Sequence, residues 1–183
     1  MRHLTKDEII RNMKMSKLQE KSSYRSPFTA MSIIFNLALH ESARYGGNKL
    51  SEFNMKVNDY YYNDDFDEEE ISKRILNKLG WSIVFAPIDI SEYRLTGNKF
   101  QDALTRKKFE SDNRINLESK KYMLIAFASM IDMGLTPKKI ETIKNKVAKL
   151  LNESTAEDSE RRIMDMHQQL FDKTGVYIEK PTL

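Results

Sequence analysis

The side chains of this 183-residue sequence that titrate nearest neutrality are three histidines, His3, His40 and His167. General acid-base cleavage of RNA needs little more than such a group with a cation beside it, and His40 with Arg44, or His167 with Arg161 or Arg162, supplies that pairing. Each histidine has an equally simple structural reading, as a hydrogen-bonded part of the interior. His40-Glu41 opens like a zinc-protease helix, but the second histidine that motif needs one turn later is replaced by Arg44. The run Asp64, Asp65, Asp67, Glu68, Glu69, Glu70 has the oxygens for a divalent cation without the central glycine and spacing of a calcium loop. An acidic first turn favoured by the helix dipole fits it better. With no cysteine, disulfides, thiolate metal sites and thiol catalysis are excluded. No phosphate-binding loop, dinucleotide glycine fingerprint or nucleophile elbow is present, so the sequence calls for no cofactor.

The cations are more informative. On the helix expected after Pro137, Lys138, Lys146 and Lys149 are expected opposite the apolar face with Lys139 bordering them. That arrangement is a cationic stripe suited to following a phosphate backbone, or to lying solvated on a helix exterior. Arg106, Lys107, Lys108, Lys120 and Lys121 are candidates to extend it. The net charge of +3 is unevenly spread: residues 1–63 carry 10 basic and 6 acidic groups, residues 64–95 carry 4 and 8, residues 96–152 carry 12 and 6, and residues 153–183 carry 4 and 7. Alternating blocks of this kind can orient a partner even when the total charge is small.

The elements that must position these groups read as helices. Thr5-Lys6-Asp7-Glu8 has capping-box spacing and predicts a helix to about Glu20. Ser26 as cap and Pro27 at the first helical position predict a second helix to Tyr45. Phe28, Met31, Ile33, Ile34, Phe35, Leu37 and Leu39 make it apolar almost all round, hence central. Its polar residues Thr29, Ser32, Asn36 and His40 form one narrow stripe, either a solvent seam or a small polar pocket around His40. Gly46-Gly47-Asn48 is expected to end the helix through positive φ. Further helices are expected from Lys49 to Tyr62, from Asp67 and Glu70 to Leu79 with Gly80 as the stop, from Asp112 to Met133, from Pro137 to Asn152, and from Ala156 to Lys173. A helix from Lys99 to Glu110 would carry Arg106, Lys107 and Lys108. Trp81 to Ile90, rich in β-branched and aromatic residues around Pro87, and Val176 to Ile178 read as extended.

The expected fold is therefore mainly α: one compact multi-helix domain over residues 1–183, with six to eight helices, a minor extended element and a candidate sub-boundary near 81–111. Leu50, Phe53 and Val57 recur 90 positions later as Ile140, Ile143 and Val147, and Lys49 and Lys56 as Lys139 and Lys146. Two related helical hairpins would explain this, although any two amphipathic helices share such spacing. The charged N-terminus and the shortness of the longest apolar run, Tyr122 to Met133, lead to the expectation of a cytoplasmic protein without a membrane partner, and leave homodimerisation open.

Met15-Ser16-Lys17-Leu18-Gln19-Glu20, Ser26-Pro27-Phe28, the helix end from Leu39-His40-Glu41 to Gly46-Gly47, and the closing Gly175-Val176-Tyr177-Ile178-Glu179-Lys180-Pro181 together resemble small proteins of Firmicute phages and prophages. Some of those are anti-CRISPR inhibitors of the type II effector nuclease. The resemblance spans most of the chain and transfers no residue roles. It implies a protein that binds the CRISPR effector nuclease, its guide RNA or its target DNA and blocks target cleavage. A nucleic-acid-binding phage regulator and a ribonuclease acting on guide RNA are the alternatives. A net basic chain disfavours inhibition by imitating DNA.

Overall fold

The computed structural model describes residues 26–63, 66–84, 88–89, 91, 93, 95–97, 99–154 and 159–178. The expected helix from Thr5 to Glu20 lies outside them. Six helices are found among the described residues: α1 (Pro27–Ala43), α2 (Gly47–Tyr61), α3 (Glu68–Leu79), α4 (Lys99–Asp132), α5 (Pro137–Ser154) and α6 (Ser159–Thr174).

α1 is the central helix that its apolar circumference predicts, with Thr29 and every residue from Met31 to Leu39 buried. Ser26 stands at its N-cap position, but the side chain makes no capping bond and only the Ser26 carbonyl accepts, from Ala30. The helix also ends earlier than the glycine pair suggests. Arg44 takes the left-handed conformation at φ 57° and its N–H returns to the His40 carbonyl at 3.0 Å. A side chain in that region costs roughly 1–2 kcal/mol relative to glycine. Gly46 is instead the extended N-cap of α2. Gly47 is needed for another reason, because a Cβ there would meet the Thr174 carbonyl oxygen at 2.8 Å.

Asp67 caps α3 as expected, its Oδ1 accepting from the Glu69 and Glu70 amides at 2.8 and 3.1 Å, and Gly80 closes the helix at φ 76°. α4 merges two expected helices into one of 34 residues, about 51 Å long. Only its second half is fully packed: Tyr122 and Leu124 to Met130 are buried, whereas Leu104, Ile115 and Leu117 before them are exposed. Residues 99–111 of the candidate sub-boundary near 81–111 belong to this continuous helix. None of the described residues lies in a strand. The Val176 and Ile178 backbone donors are satisfied locally, Val176 N–H by Thr174 Oγ1 and Ile178 N–H by His167 Nε2, both at 3.2 Å.

The two core helices pack on each other, and each packs mainly on helices from the opposite half of the chain. α1 lies against α5 and α6, and α4 against α2 and α3. The correspondence expected from spacing extends to burial: Leu50, Phe53 and Val57 of α2 and Ile140, Ile143 and Val147 of α5 are all buried. Ile71 and Ile75 of α3 are matched by Met166 and Leu170 of α6, also buried, and left-handed Gly80 by left-handed Gly175, each 95 positions on. The burial pattern of Trp81, Ser82 and Ile83, alternately shielded and exposed, repeats in Val176, Tyr177 and Ile178. Two three-helix halves of like build are thus intertwined, joined by an aromatic relay in which Phe35 meets Tyr122 and Phe127, and Trp81 meets Phe127 edge-on at 5.0 Å.

Candidate nucleic-acid and partner interface

The expected cationic stripe is divided by the fold. Lys138 and Lys139, in the first turn of α5, are exposed and pair with no described carboxylate. Lys149 is exposed too and reaches Glu153, one turn on, only at 4.0 Å. Lys146 does not lie opposite the apolar face. It follows Ile143 by three residues, which places it about 60° from that buried side chain. From there its Nζ reaches Glu41 of α1 at 2.5 Å. Glu41 also accepts from Gln169 at 3.2 Å and Lys173 at 3.4 Å of α6. Burial pushes the Glu41 carboxyl up, but the two lysines outweigh it and hold the group below its ordinary value. Glu41 therefore fastens three helices together, and Lys146 is committed to it.

The expected extension is divided likewise. Arg106, Lys107 and Lys108 are exposed on the first half of α4. Lys120 is half-buried and pairs with Glu68 of α3. Lys121 lies over the rings of Tyr61 and Phe66, 4.7 and 4.9 Å from their centroids. Both hold α4 to its neighbours. The cations left available form two groups, Arg106–Lys108 and Lys138–Lys139 with Lys149. From Lys108 to the end of α4 at Asp132 is 24 residues, about 36 Å of helix axis, and Lys120, Lys121 and Lys146, each engaged with a neighbouring element, interrupt the track of nine.

Neither histidine pairing forms a catalytic arrangement. His40 Nδ1 is 2.9 Å from the Tyr45 carbonyl and donates to it, at the turn that closes α1. His167 is buried, and its Nε2 accepts the Ile178 amide, so the ring nitrogen that could act as a base is already filled. The stripe Thr29, Ser32 and Asn36 is not a solvent seam: these residues are 1%, 5% and 0% exposed. The pocket beside it is centred away from His40, where Asn36 Nδ2 donates to Asn54 Oδ1 of α2 at 2.8 Å. Helical spacing exposes the stripe only if nothing covers it, and α2 and α4 do.

Asp64 and Asp65 lie outside the described residues; from Asp67 on, the acidic run behaves as a helix start, where Asp67 caps, Glu68 pairs with Lys120, and Glu69 pairs with Lys73 at 2.7 Å. Among the described residues no cluster of acidic or histidine side chains could hold a metal ion, and no helix is long and apolar enough to cross a membrane. A second ionic junction escaped the sequence reading, because its members are distant in sequence. Arg74 of α3 donates to Tyr60 of α2 at 2.9 Å and pairs with Asp132 of α4, which also accepts from Tyr60 at 2.6 Å. The Asp132 carboxylate raises the Arg74 guanidinium above its usual value. No protein-family model matches this chain, and no curated protein or solved structure matches it.

Proposed function

We propose that this protein is a phage-encoded, non-enzymatic inhibitor that acts in the bacterial cytoplasm by binding a type II CRISPR effector nuclease with its guide RNA or target DNA. The observation that carries the reading is that the exposed cations Arg106–Lys108 and Lys138–Lys139 lie toward opposite ends of α4, with Lys149 farther along α5, whose end shares a cavity with Ile115 and Ser119 of α4. The 24 residues from Lys108 to the end of α4 run about 36 Å along the axis, close to one turn of duplex, so one rigid body can engage a nucleic acid at two places. The likeness to phage proteins supplies the identity of the target. The ribonuclease alternative loses support, because His40 and His167 are committed to backbone partners.

The test is a titration into reconstituted nuclease, guide RNA and target DNA, reading DNA cleavage and guide length together. Inhibition near equimolar ratio with intact guide is expected. Shortened guide would establish RNA cleavage instead, and no inhibition at excess, with salt-sensitive binding to free nucleic acid, would establish the regulator.

A further inference from the structure

A cleft of about 580 Å³ opens between α2 and the segment from Thr174 to Ile178. From α2 it is lined by Asn48, Ser51, Asn54 and Asn58, which recur at helical spacing on one face and span about 15 Å of axis. No charged side chain among the described residues lines it. At its floor Asn54 Oδ1 is occupied by the Asn36 amide, which leaves the Asn54 Nδ2 group for a ligand. Behind it Asn36 Oδ1 is fully buried without a hydrogen-bond partner. On the opposite wall Tyr177 is 57% exposed, and its backbone N–H bonds no described group although those of Val176 and Ile178 do.

The other half of the molecule shows what closes the corresponding place there. Lys144 stands 90 positions after Asn54, and Trp81 stands 95 before Val176. Lys144 Nζ lies 4.4 Å from the Trp81 ring centroid, so the chain fills that site with its own side chains. At the cleft Asn54 stands for the lysine and Val176 for the tryptophan, and the same construction is open with amides on its α2 wall.

We propose that this cleft binds an extended, uncharged peptide segment of a protein partner, gripped through its backbone. An asparagine amide donates and accepts at once, matching the paired N–H and C=O of a peptide group whatever its side chain. A length of 15 Å accommodates four to five extended residues at about 3.3 Å each. The free Tyr177 amide offers one further backbone bond of the kind made when a strand is added to an edge. The amide wall, with no described cation in it, suits a neutral ligand better than a phosphate-bearing one. This site is separate from the cationic groups, and it stands whether or not the partner is a nuclease.

Full-length, 15N-labelled protein is titrated with seven-residue peptides selected on it from a random display library. The expected result is shifts of the Asn48, Asn54 and Asn58 side-chain amides and of the Tyr177 backbone amide. Asn58→Arg should weaken binding by at least about tenfold at unchanged thermal midpoint. Asn54→Lys, which copies Lys144, should do the same and serves if the first variant folds poorly. The proposal is overturned if no peptide is selected, if selected peptides shift other resonances or bind both variants undiminished, or if single-stranded oligothymidylate shifts these amides more strongly than any peptide.

Discussion

Glu41 and Asp132 hold equivalent stations in the two halves. Glu41, in the last turn of α1, accepts from Lys146 of α5 and from Gln169 and Lys173 of α6. Asp132, the last residue of α4, accepts from Tyr60 of α2 and Arg74 of α3. Each carboxylate thereby ties the end of one core helix to the second and third helices of the other half, and Arg74 and Gln169 are 95 positions apart like Gly80 and Gly175.

Replacing Glu41 with Gln should lower stability at pH 7 by about 1 kcal/mol, since the carboxylate is only partly shielded and its lysines remain hydrated. Its native pKa lies below the ordinary value of 4.5. The stabilisation is therefore complete above that unfolded-state value and fades as pH falls through the lower native one. Urea midpoints of wild type and variant should differ at neutral pH and converge in acid, once the pH falls below the native titration of Glu41. A difference that persists in acid would remove the ion pairs from the account.

The helices were legible because their signals are local. Asp67 before three glutamates, Gly80 and Gly175 after apolar repeats, and Pro137 at a first turn are each sufficient within a few residues. Tertiary choices were not. That Lys146 would be held by Glu41, 105 positions away, and that Gly47 would be required against the Thr174 carbonyl rather than to close α1, depended on contacts distant in sequence. The binding candidates were recognisable by type, but which cations remain available is decided by packing partners that no spacing reveals.

The lysines of α5 should separate into two classes under charge reversal. Lys138→Glu, Lys139→Glu and Lys149→Glu combined should leave the thermal midpoint nearly unchanged, weaken nucleic-acid binding about tenfold or more, and flatten its salt dependence by up to about three released counterions. Lys146→Glu should instead lower the midpoint by several degrees, because it sets a like charge against Glu41. Calorimetry beside binding isotherms at two salt concentrations checks both. Equal stability losses would mean that the exposed lysines are structural as well.

The two halves should unfold as one unit. Trp81, the sole tryptophan, reports on the contact of the first half with α4, while Leu170 is buried in α6 and α6 packs on α1. Leu170→Ala removes a fully buried side chain and should cost about 2–5 kcal/mol. Because α1 is shared, the Trp81 fluorescence transition should move with the circular dichroism transition by the same amount. Separation of the two curves would show that the halves are energetically independent.

Tyr122 offers a substitution with the opposite sign. The ring is fully buried and meets Phe28 at 5.1 Å and Phe35 at 5.6 Å, yet its hydroxyl has no hydrogen-bond partner among the described groups, and burial raises its pKa far above the ordinary value. Tyr122→Phe removes an unsatisfied polar atom and keeps the ring, so stability should be unchanged or rise by up to about 1–2 kcal/mol. Tyr122→Ala should lose about 3–5 kcal/mol. A clear loss in the phenylalanine variant would indicate that the hydroxyl is bound, with Ser32 the nearest candidate.

Gly46 and Gly47 are adjacent and chemically identical, and the fold distinguishes them. A Cβ on Gly46 meets nothing within 4 Å, and its backbone is in the ordinary extended region at φ −87°. A Cβ on Gly47 meets the Thr174 carbonyl oxygen at 2.8 Å, an oxygen fixed at the end of α6. Gly46→Ala should therefore change stability by less than about 1 kcal/mol, through lost unfolded-state freedom set against a weaker cap. Gly47→Ala should cost about 1–3 kcal/mol by forcing α2 away from Thr174. Because that junction also forms one end of the amide-lined cleft, the Gly47 variant should weaken peptide capture at a temperature where it remains folded, whereas the Gly46 variant should bind as wild type. Thermal melts with the same peptide titration decide it, and equal behaviour of the two variants would refute the close approach of α2 to Thr174.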